Sequence, residues 1–106
     1  MDEKIKSLIS QIKEHLRKMY GGKFKKVILY GSYVRGEVTK DSDIDLLVLV
    51  EESLNLFEVR ESLSDLLFDI LLDEGELVSV IVVPEHLYEN YNSPFMLNVR
   101  KEGLVA

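Results

Sequence analysis

Two apolar segments, each joined to a short polar motif, constrain most strongly what this 106-residue chain can fold into. The first, residues 27–30, has the pattern of a strand that breaks at Gly31-Ser32. The second, residues 46–50, follows directly on Asp43-Ile44-Asp45. Side chains alternate along a strand, so Asp43 and Asp45 point to the same side and their carboxylates converge. The sequence therefore predicts two successive strands that carry a glycine turn and a carboxylate pair.

The converging carboxylates predict a cation site, because like charges held close together repel unless a cation lies between them. Oxygen ligands on a rigid strand suit Mg²⁺, which binds one or two carboxylates and takes its other ligands from water and substrate phosphates. Gly31 permits close backbone approach, and a helix beginning at Ser32 would offer its hydroxyl and free amides to a phosphate. The alternative interpretation is an ordinary turn at Gly31-Ser32 and a solvated strand start at Asp43 and Asp45.

At these residues the chain resembles the nucleotidyltransferases of the DNA polymerase beta superfamily, in their minimal single-domain form. The matching strings are GSYVRG, from Gly31 to Gly36, and SDIDLLV, from Ser42 to Val48. The resemblance implies an α+β nucleotidyltransferase fold, a small mixed sheet covered by helices. It also implies Mg²⁺-dependent transfer of a nucleoside monophosphate from a nucleoside triphosphate, ATP by preference. Asp43 and Asp45 would be the catalytic, metal-binding residues, and Gly31 and Ser32 would hold the β- and γ-phosphates.

Arg35, inside the first motif, has two interpretations. A guanidinium matches phosphate oxygens in a bidentate way, which favours a nucleotide contact. An ion pair with Glu37 or Asp41 in the following loop is the other interpretation.

One position departs from the pattern that the resemblance implies. Active members of the superfamily carry a third carboxylate on the following strand, and Ser79 occupies the expected place here. A serine cannot neutralise a cation or act as a base near neutral pH. Glu74 and Glu76 precede the strand, but by alternation Glu76 should face away from Ser79. We expect a weakened site with two carboxylates, which leaves enzymatic activity itself an open question.

Hydrophobic periodicity and turn residues predict one domain over residues 1–106. The predicted elements are a helix over residues 2–20 with Met19 on its apolar face, strands over 26–30 and 44–50, a single helix over 54–73, an apolar strand over 77–83 in the interior of the sheet, a short helix from Pro84-Glu85, and a last helix capped by Ser93-Pro94 and ending near Gly103.

Composition narrows the setting in which such a protein works. The chain has no cysteine, no export signal and no apolar run of membrane-spanning length, which suits a cytoplasmic protein without a membrane contact. Its formal net charge of −6 opposes strong binding to nucleic acid.

The resemblance further suggests the antitoxin of a toxin–antitoxin pair, whose partner is a small helical HEPN-type toxin that receives AMP on a hydroxyl. Two alternatives are a binding module that neutralises its partner by contact, and a transferase for a small molecule such as an aminoglycoside. The aromatic segment with Tyr88, Tyr91 and Phe95 fits either core packing or a partner surface. The sequence leaves a homo-oligomer possible.

Overall fold

A four-stranded sheet with helices on both faces organises the chain in a computed structural model, which describes residues 2–106. In chain order, the elements of that range are α1 (Glu3–Tyr20), a 3₁₀ turn (Gly21–Lys23), β1 (Phe24–Tyr30), α2 (Ser32–Arg35), β2 (Ile44–Val50), α3 (Leu56–Ser62), α4 (Ser64–Glu74), β3 (Val78–Pro84), α5 (Glu85–Asn90), α6 (Pro94–Glu102) and β4 (Leu104–Val105).

The strands lie in the order β3-β2-β1-β4. β1 runs antiparallel to β2, with Tyr30 opposite Asp45, and β2 runs parallel to β3, with Asp45 opposite Ser79. β4 lies antiparallel on the outer side of β1. This arrangement confirms the predicted α+β class with a small mixed sheet covered by helices.

Alternation along β2 divides the interior into two layers. Ile44, Leu46 and Val48 face the larger layer, which α1, α3 and α4 cover. Leu47 and Leu49 face the other layer, where they pack near Val99 of α6. Each of these five β2 side chains is at most 1% exposed, and burying a side chain of this size stabilises the fold by roughly 1.5–3 kcal/mol. Asp45 shares the second face, so α6 and not α1 lies over it.

Helix capping follows the sequence closely. The Asp2 side chain accepts a hydrogen bond from the Lys4 amide at 2.8 Å and caps α1. Ser93 caps α6 by accepting from the Met96 amide at 3.1 Å, and Pro94 takes the first helical position. The prediction of a Ser93-Pro94 helix start is therefore confirmed.

The predicted helix over residues 54–73 is two helices, α3 and α4, separated at Leu63. The Leu63 amide donates to the Arg60 carbonyl at 3.1 Å, a tighter turn than the α-helical pattern, and the Leu63 side chain is fully buried. The apolar spacing continues across this break, so periodicity could not reveal it.

Two further expectations were wrong. β3 is an edge strand, not an interior one, because among residues 2–106 only β2 pairs with it. Its sequence is apolar because one face packs under α3 and the other is partly covered by α5. Met19 is 55% exposed, since the buried stripe of α1 ends at Leu16. The short strand β4 was not predicted at all.

Among residues 2–106, no helix is both long enough and apolar enough to span a lipid bilayer.

Candidate functional site

Gly31 and Asp45 are in close contact where β1 gives way to α2. Gly31 is buried, with a φ of 81° that L side chains rarely adopt. An ideal Cβ added there would overlap Asp45 Oδ2 and lie 3.2 Å from its Cγ. Only glycine therefore permits both this turn and the position of the Asp45 carboxylate against the backbone.

Negative charge is concentrated at Asp45. Burial raises the pKa of its carboxyl, the Asp43 charge raises that pKa further, and Arg35 lowers it. Burial and the Asp45 charge together raise the pKa of the neighbouring Tyr30 hydroxyl. A carboxylate that is partly withdrawn from water beside a second carboxylate is a position where a bound cation relieves repulsion.

Asp45 forms part of the wall of an open cavity of about 300 Å³. Tyr30, Gly31 and Arg35 form the wall on the β1–α2 side. The opposite wall belongs to one face of α6, which contributes Phe95, Asn98, Val99 and Glu102.

Arg35 borders this cavity within two ion pairs. Its Nε lies 2.5 Å from Glu37 Oε1, and its Nη1 lies 3.5 Å from Glu102 Oε2. The ion pair with Glu37 that the sequence offered as one interpretation is therefore formed, whereas Asp41 takes no part in it. Because its side chain is 47% exposed at the edge of the cavity, the guanidinium remains accessible to an anion.

Ser32 and Asp43 lie next to the cavity without forming its wall. Ser32 is the first residue of α2, a single turn in which the Val34 and Arg35 amides donate to the Gly31 carbonyl at 3.1 and 3.2 Å. Asp43 immediately precedes β2, and its charge acts on Asp45. Of the five residues that the sequence singled out, the structure places Gly31, Arg35 and Asp45 on the cavity wall and the other two adjacent to it.

Ser79 lies beside Asp45 in the register of the two parallel strands. Glu76, by contrast, is on the α1 side, where it pairs with Lys4 Nζ at 3.2 Å and accepts a 3.5 Å hydrogen bond from the Tyr33 hydroxyl. Glu74 is at the exposed end of α4. Across residues 2–106, no cluster of three or more histidine, cysteine or acidic side chains is placed to hold a metal.

Sequence reasoning missed the contribution of α6. Phe95 packs against Tyr30 with ring centroids 5.6 Å apart and an interplanar angle of 86°. The available signal was the spacing of Phe95, Asn98, Val99 and Glu102 at three and four residues, which places them on one helical face. That spacing shows a common face but does not show what the face covers.

Comparison with known proteins agrees with the nucleotidyltransferase resemblance of the sequence motifs. The family model described as "Nucleotidyltransferase domain" matches residues 9–102. A protein of Methanocaldococcus jannaschii, provisionally named as a protein adenylyltransferase, is 36% identical over 98 residues, and the aligned region covers 92% of each chain.

Two solved structures share the fold. A toxin–antitoxin complex with AMP-PNP superposes with a TM-score of 0.60 at 21% identity, covering 91% of this chain and 69% of the other. A complex of a tri-AMPylated Shewanella oneidensis HEPN toxin with an MNT antitoxin superposes with a TM-score of 0.56 at 18% identity. The superposition covers 94% of this chain and 69% of the other. At these identities the likeness is one of fold. The family match and the M. jannaschii relative together establish that this chain belongs to the nucleotidyltransferase domain family.

Proposed function

We propose that the protein binds ATP with a divalent cation in the cavity between β1, β2 and α6, and transfers AMP to a hydroxyl of a partner protein. The single observation that carries the proposal is the contact between Gly31 and the partly buried Asp45 carboxylate, at the rim of an open cavity that Arg35 also borders. A glycine turn, a carboxylate and a guanidinium around one cavity are suited to a nucleoside triphosphate and its metal.

The residues at this rim fit a magnesium ion. Asp45 and Asp43 supply oxygen ligands, and the pKa of Asp45 is raised, in part by repulsion that a cation would remove. Because position 79 holds a serine and not a carboxylate, water and phosphate oxygens would supply the remaining ligands of the magnesium ion. When bound, magnesium supplies neutralisation of the charge that develops on the phosphates.

The chain's own groups would orient the reactants. Arg35 would contact the triphosphate. Because Gly31 has no side chain, the triphosphate could also lie close to the backbone at this residue. The acceptor hydroxyl attacks the α-phosphorus, a new P–O bond forms, and the bond to pyrophosphate breaks. The cavity is open, so the hydroxyl proton can pass to water.

A partner protein is the proposed acceptor, and the setting is a toxin–antitoxin pair in the cytoplasm. Three comparisons support this: the relative named as a protein adenylyltransferase, the toxin–antitoxin complex with AMP-PNP, and the AMPylated HEPN toxin bound to an MNT antitoxin. On this basis the acceptor of the present chain is a small helical HEPN-type toxin.

The second candidate function is neutralisation by contact, without transfer. It is favoured by Ser79, which lies beside Asp45 where the superfamily pattern has a third carboxylate. In that case the same partner would be bound and inhibited, but not modified.

The test uses α-labelled ATP, Mg²⁺ and a small helical HEPN-type toxin as the acceptor. We expect label on the partner with the wild type, and none with Asp43→Asn/Asp45→Asn. Partner inhibition is measured in parallel. Inhibition without label would support the contact model, and labelling that survives the double substitution would exclude the proposed site.

A further inference from the structure

We propose that Phe95 and Asn98 on α6 form the subsite for the base of the nucleotide, and that Asn98 selects adenine over guanine. The inference rests on the proposed function, because it assumes that a nucleotide occupies the cavity beside Gly31 and Asp45. It adds the residues that would recognise the base, which neither the sequence motifs nor the family match assigns.

The face of α6 that borders the cavity has a defined polarity. Glu102 is at one end of this face, 3.5 Å from Arg35, and so marks the end of the cavity where the phosphates would lie. Asn98 and Phe95 follow at the next turns toward the start of the helix, about 6 Å and about 10 Å further along its axis. A nucleotide whose phosphates meet Arg35 and Gly31 can therefore extend its base along α6 toward Phe95.

Phe95 provides an aromatic surface at this end. Its ring is held edge-to-face by Tyr30, with centroids 5.6 Å apart, and its side chain remains 40% exposed. Tyr30 occupies the position opposite Asp45 in the β1–β2 register, which ties the aromatic pair to the carboxylate. Bases of every type stack on aromatic rings, so Phe95 would contribute affinity without selectivity.

Asn98 is the residue that can distinguish bases. The three other asparagines use their side chains locally: Asn55 caps α3, Asn90 donates to the His86 carbonyl, and Asn92 accepts from Arg100. Asn98 instead lies in the interior of α6, where asparagine is a poor helix former, and its exposed side chain borders the cavity.

The chemistry of the Asn98 amide favours adenine. A primary amide presents one acceptor, Oδ1, and one donor group, Nδ2. Adenine offers the complementary pair, the N6 amino group as donor and N7 as acceptor, and asparagine forms a bidentate contact with them. On the same N7 edge guanine offers two acceptors, O6 and N7, so Oδ1 would face an acceptor without a hydrogen between them. The proposed selectivity therefore requires that Asn98 contact the N7 edge of the base.

Calorimetric titration with Mg-ATP, Mg-GTP and inorganic tripolyphosphate tests this inference. We expect the wild type to bind ATP about tenfold or more tightly than GTP, and Asn98→Ala to lose this preference through weaker ATP binding. Phe95→Ala should weaken ATP and GTP by the same factor. Neither substitution should change tripolyphosphate binding, and Leu97→Ala, on the same helix but outside the cavity wall, should change none of the three.

Each contrary result has a defined meaning. If Asn98→Ala leaves the preference for ATP over GTP intact, the amide does not select the base and the inference is wrong. The inference is also wrong if Asn98→Ala weakens the binding of ATP and GTP equally but does not change the binding of 2′-deoxy-ATP, because Asn98 would then contact the ribose 2′-hydroxyl and not the base. If the wild type binds none of the three ligands, the proposed function itself fails. Binding of ATP that depends on Asp45 but not on Asn98 would preserve the proposed function and reject only the adenine subsite.

Discussion

Asp45 and Ser79 occupy paired positions on the parallel strands β2 and β3, so their side chains lie side by side on the sheet face that borders the cavity. Neighbouring strands are about 4.8 Å apart, which places a side chain at position 79 within reach of a metal held by Asp45. The position expected to hold a third carboxylate is thus present in the fold and filled by a hydroxyl.

Ser79→Asp should therefore increase AMP transfer. The new carboxylate would add a metal ligand and a base for the acceptor hydroxyl, and general-base catalysis contributes about 100-fold or more where it is well positioned. The measurement is the initial rate of label incorporation into the partner protein.

Ile81→Asp is the matched control for this substitution. Ile81 is 42% exposed on the same face of β3, but it pairs with Leu47 and not with Asp45. An equal rate increase in both variants would show that added charge on this face, and not the position beside Asp45, is responsible.

Asp45→Asn should stabilise the protein without ligand near neutral pH. Because the folded state raises the pKa of Asp45, that state binds its proton more tightly than the unfolded chain does, and stability declines as pH rises from 3.8 through the higher folded value. Asp45→Asn removes this decline in stability, so the melting temperature should rise by a few degrees at pH 7. A rise of this size corresponds to an increase of less than about 1 kcal/mol in the free energy of unfolding.

The same measurement has a second arm at low pH. Well below pH 3.8 the wild-type carboxyl is protonated in both the folded and the unfolded state, and the difference in melting temperature between the two proteins should vanish. A difference in melting temperature that is constant across the whole pH range would contradict the assignment of the effect to the Asp45 charge.

Gly31→Val should lower both stability and ATP affinity. A side chain at this φ is strained by roughly 1–3 kcal/mol, and its Cβ would displace the Asp45 carboxylate. Gly75→Val is the control, because Gly75 has a similar φ of 68° with open space around it, at the end of α4. Denaturant unfolding should show the smaller loss of stability for Gly75→Val, because Gly75 has a ψ of 22°, in the left-handed helical region, whereas Gly31 has a ψ of −152°, in a region that is almost exclusive to glycine. Mg-ATP titration should show reduced affinity only for Gly31→Val.

Substitutions at Arg35 and Glu37 separate the two interpretations of the guanidinium. If Arg35 contacts phosphate, Arg35→Ala should weaken ATP binding by about tenfold or more, since a hydrogen bond between two charged groups is stronger than one between neutral groups. Glu37→Gln should strengthen ATP binding a few-fold by releasing the guanidinium from its 2.5 Å ion pair. Lys40→Ala, an exposed cation of the same loop, should change neither. Unchanged ATP affinity in Arg35→Ala would leave Arg35 a purely structural role.

The features that could be predicted from the sequence are local ones. Period-two alternation placed Glu76 on the opposite side of the sheet from Ser79, and its ion pair with Lys4 of α1 confirms that placement. Likewise, Ser93-Pro94 marks the start of α6 through its own capping hydrogen bond. Each of these inferences needs only the geometry of one element.

The missed features depend on contacts between distant segments. To predict the α6 wall of the cavity, one would have to know that Phe95 packs against Tyr30. To predict that β3 is an edge strand, one would have to know that, within residues 2–106, no strand pairs with it on the side away from β2. The break at Leu63 leaves the apolar spacing undisturbed. Periodicity carries information about which side of an element is buried, but not about its neighbours.

The pairing of β4 with β1 has a kinetic consequence. Ile28 pairs with Val105 and Leu29 with Leu104, although these partners are about 75 residues apart in the sequence. Contacts of such long range form slowly, because a long loop must close before they stabilise the chain. α6 lies directly before β4, so we expect the cavity to be completed late in folding, after the β1–β2 hairpin that carries Gly31 and Asp45 is already paired. A nucleotide that contacts both the β1–α2 wall and the α6 wall would then slow any unfolding that begins at β4.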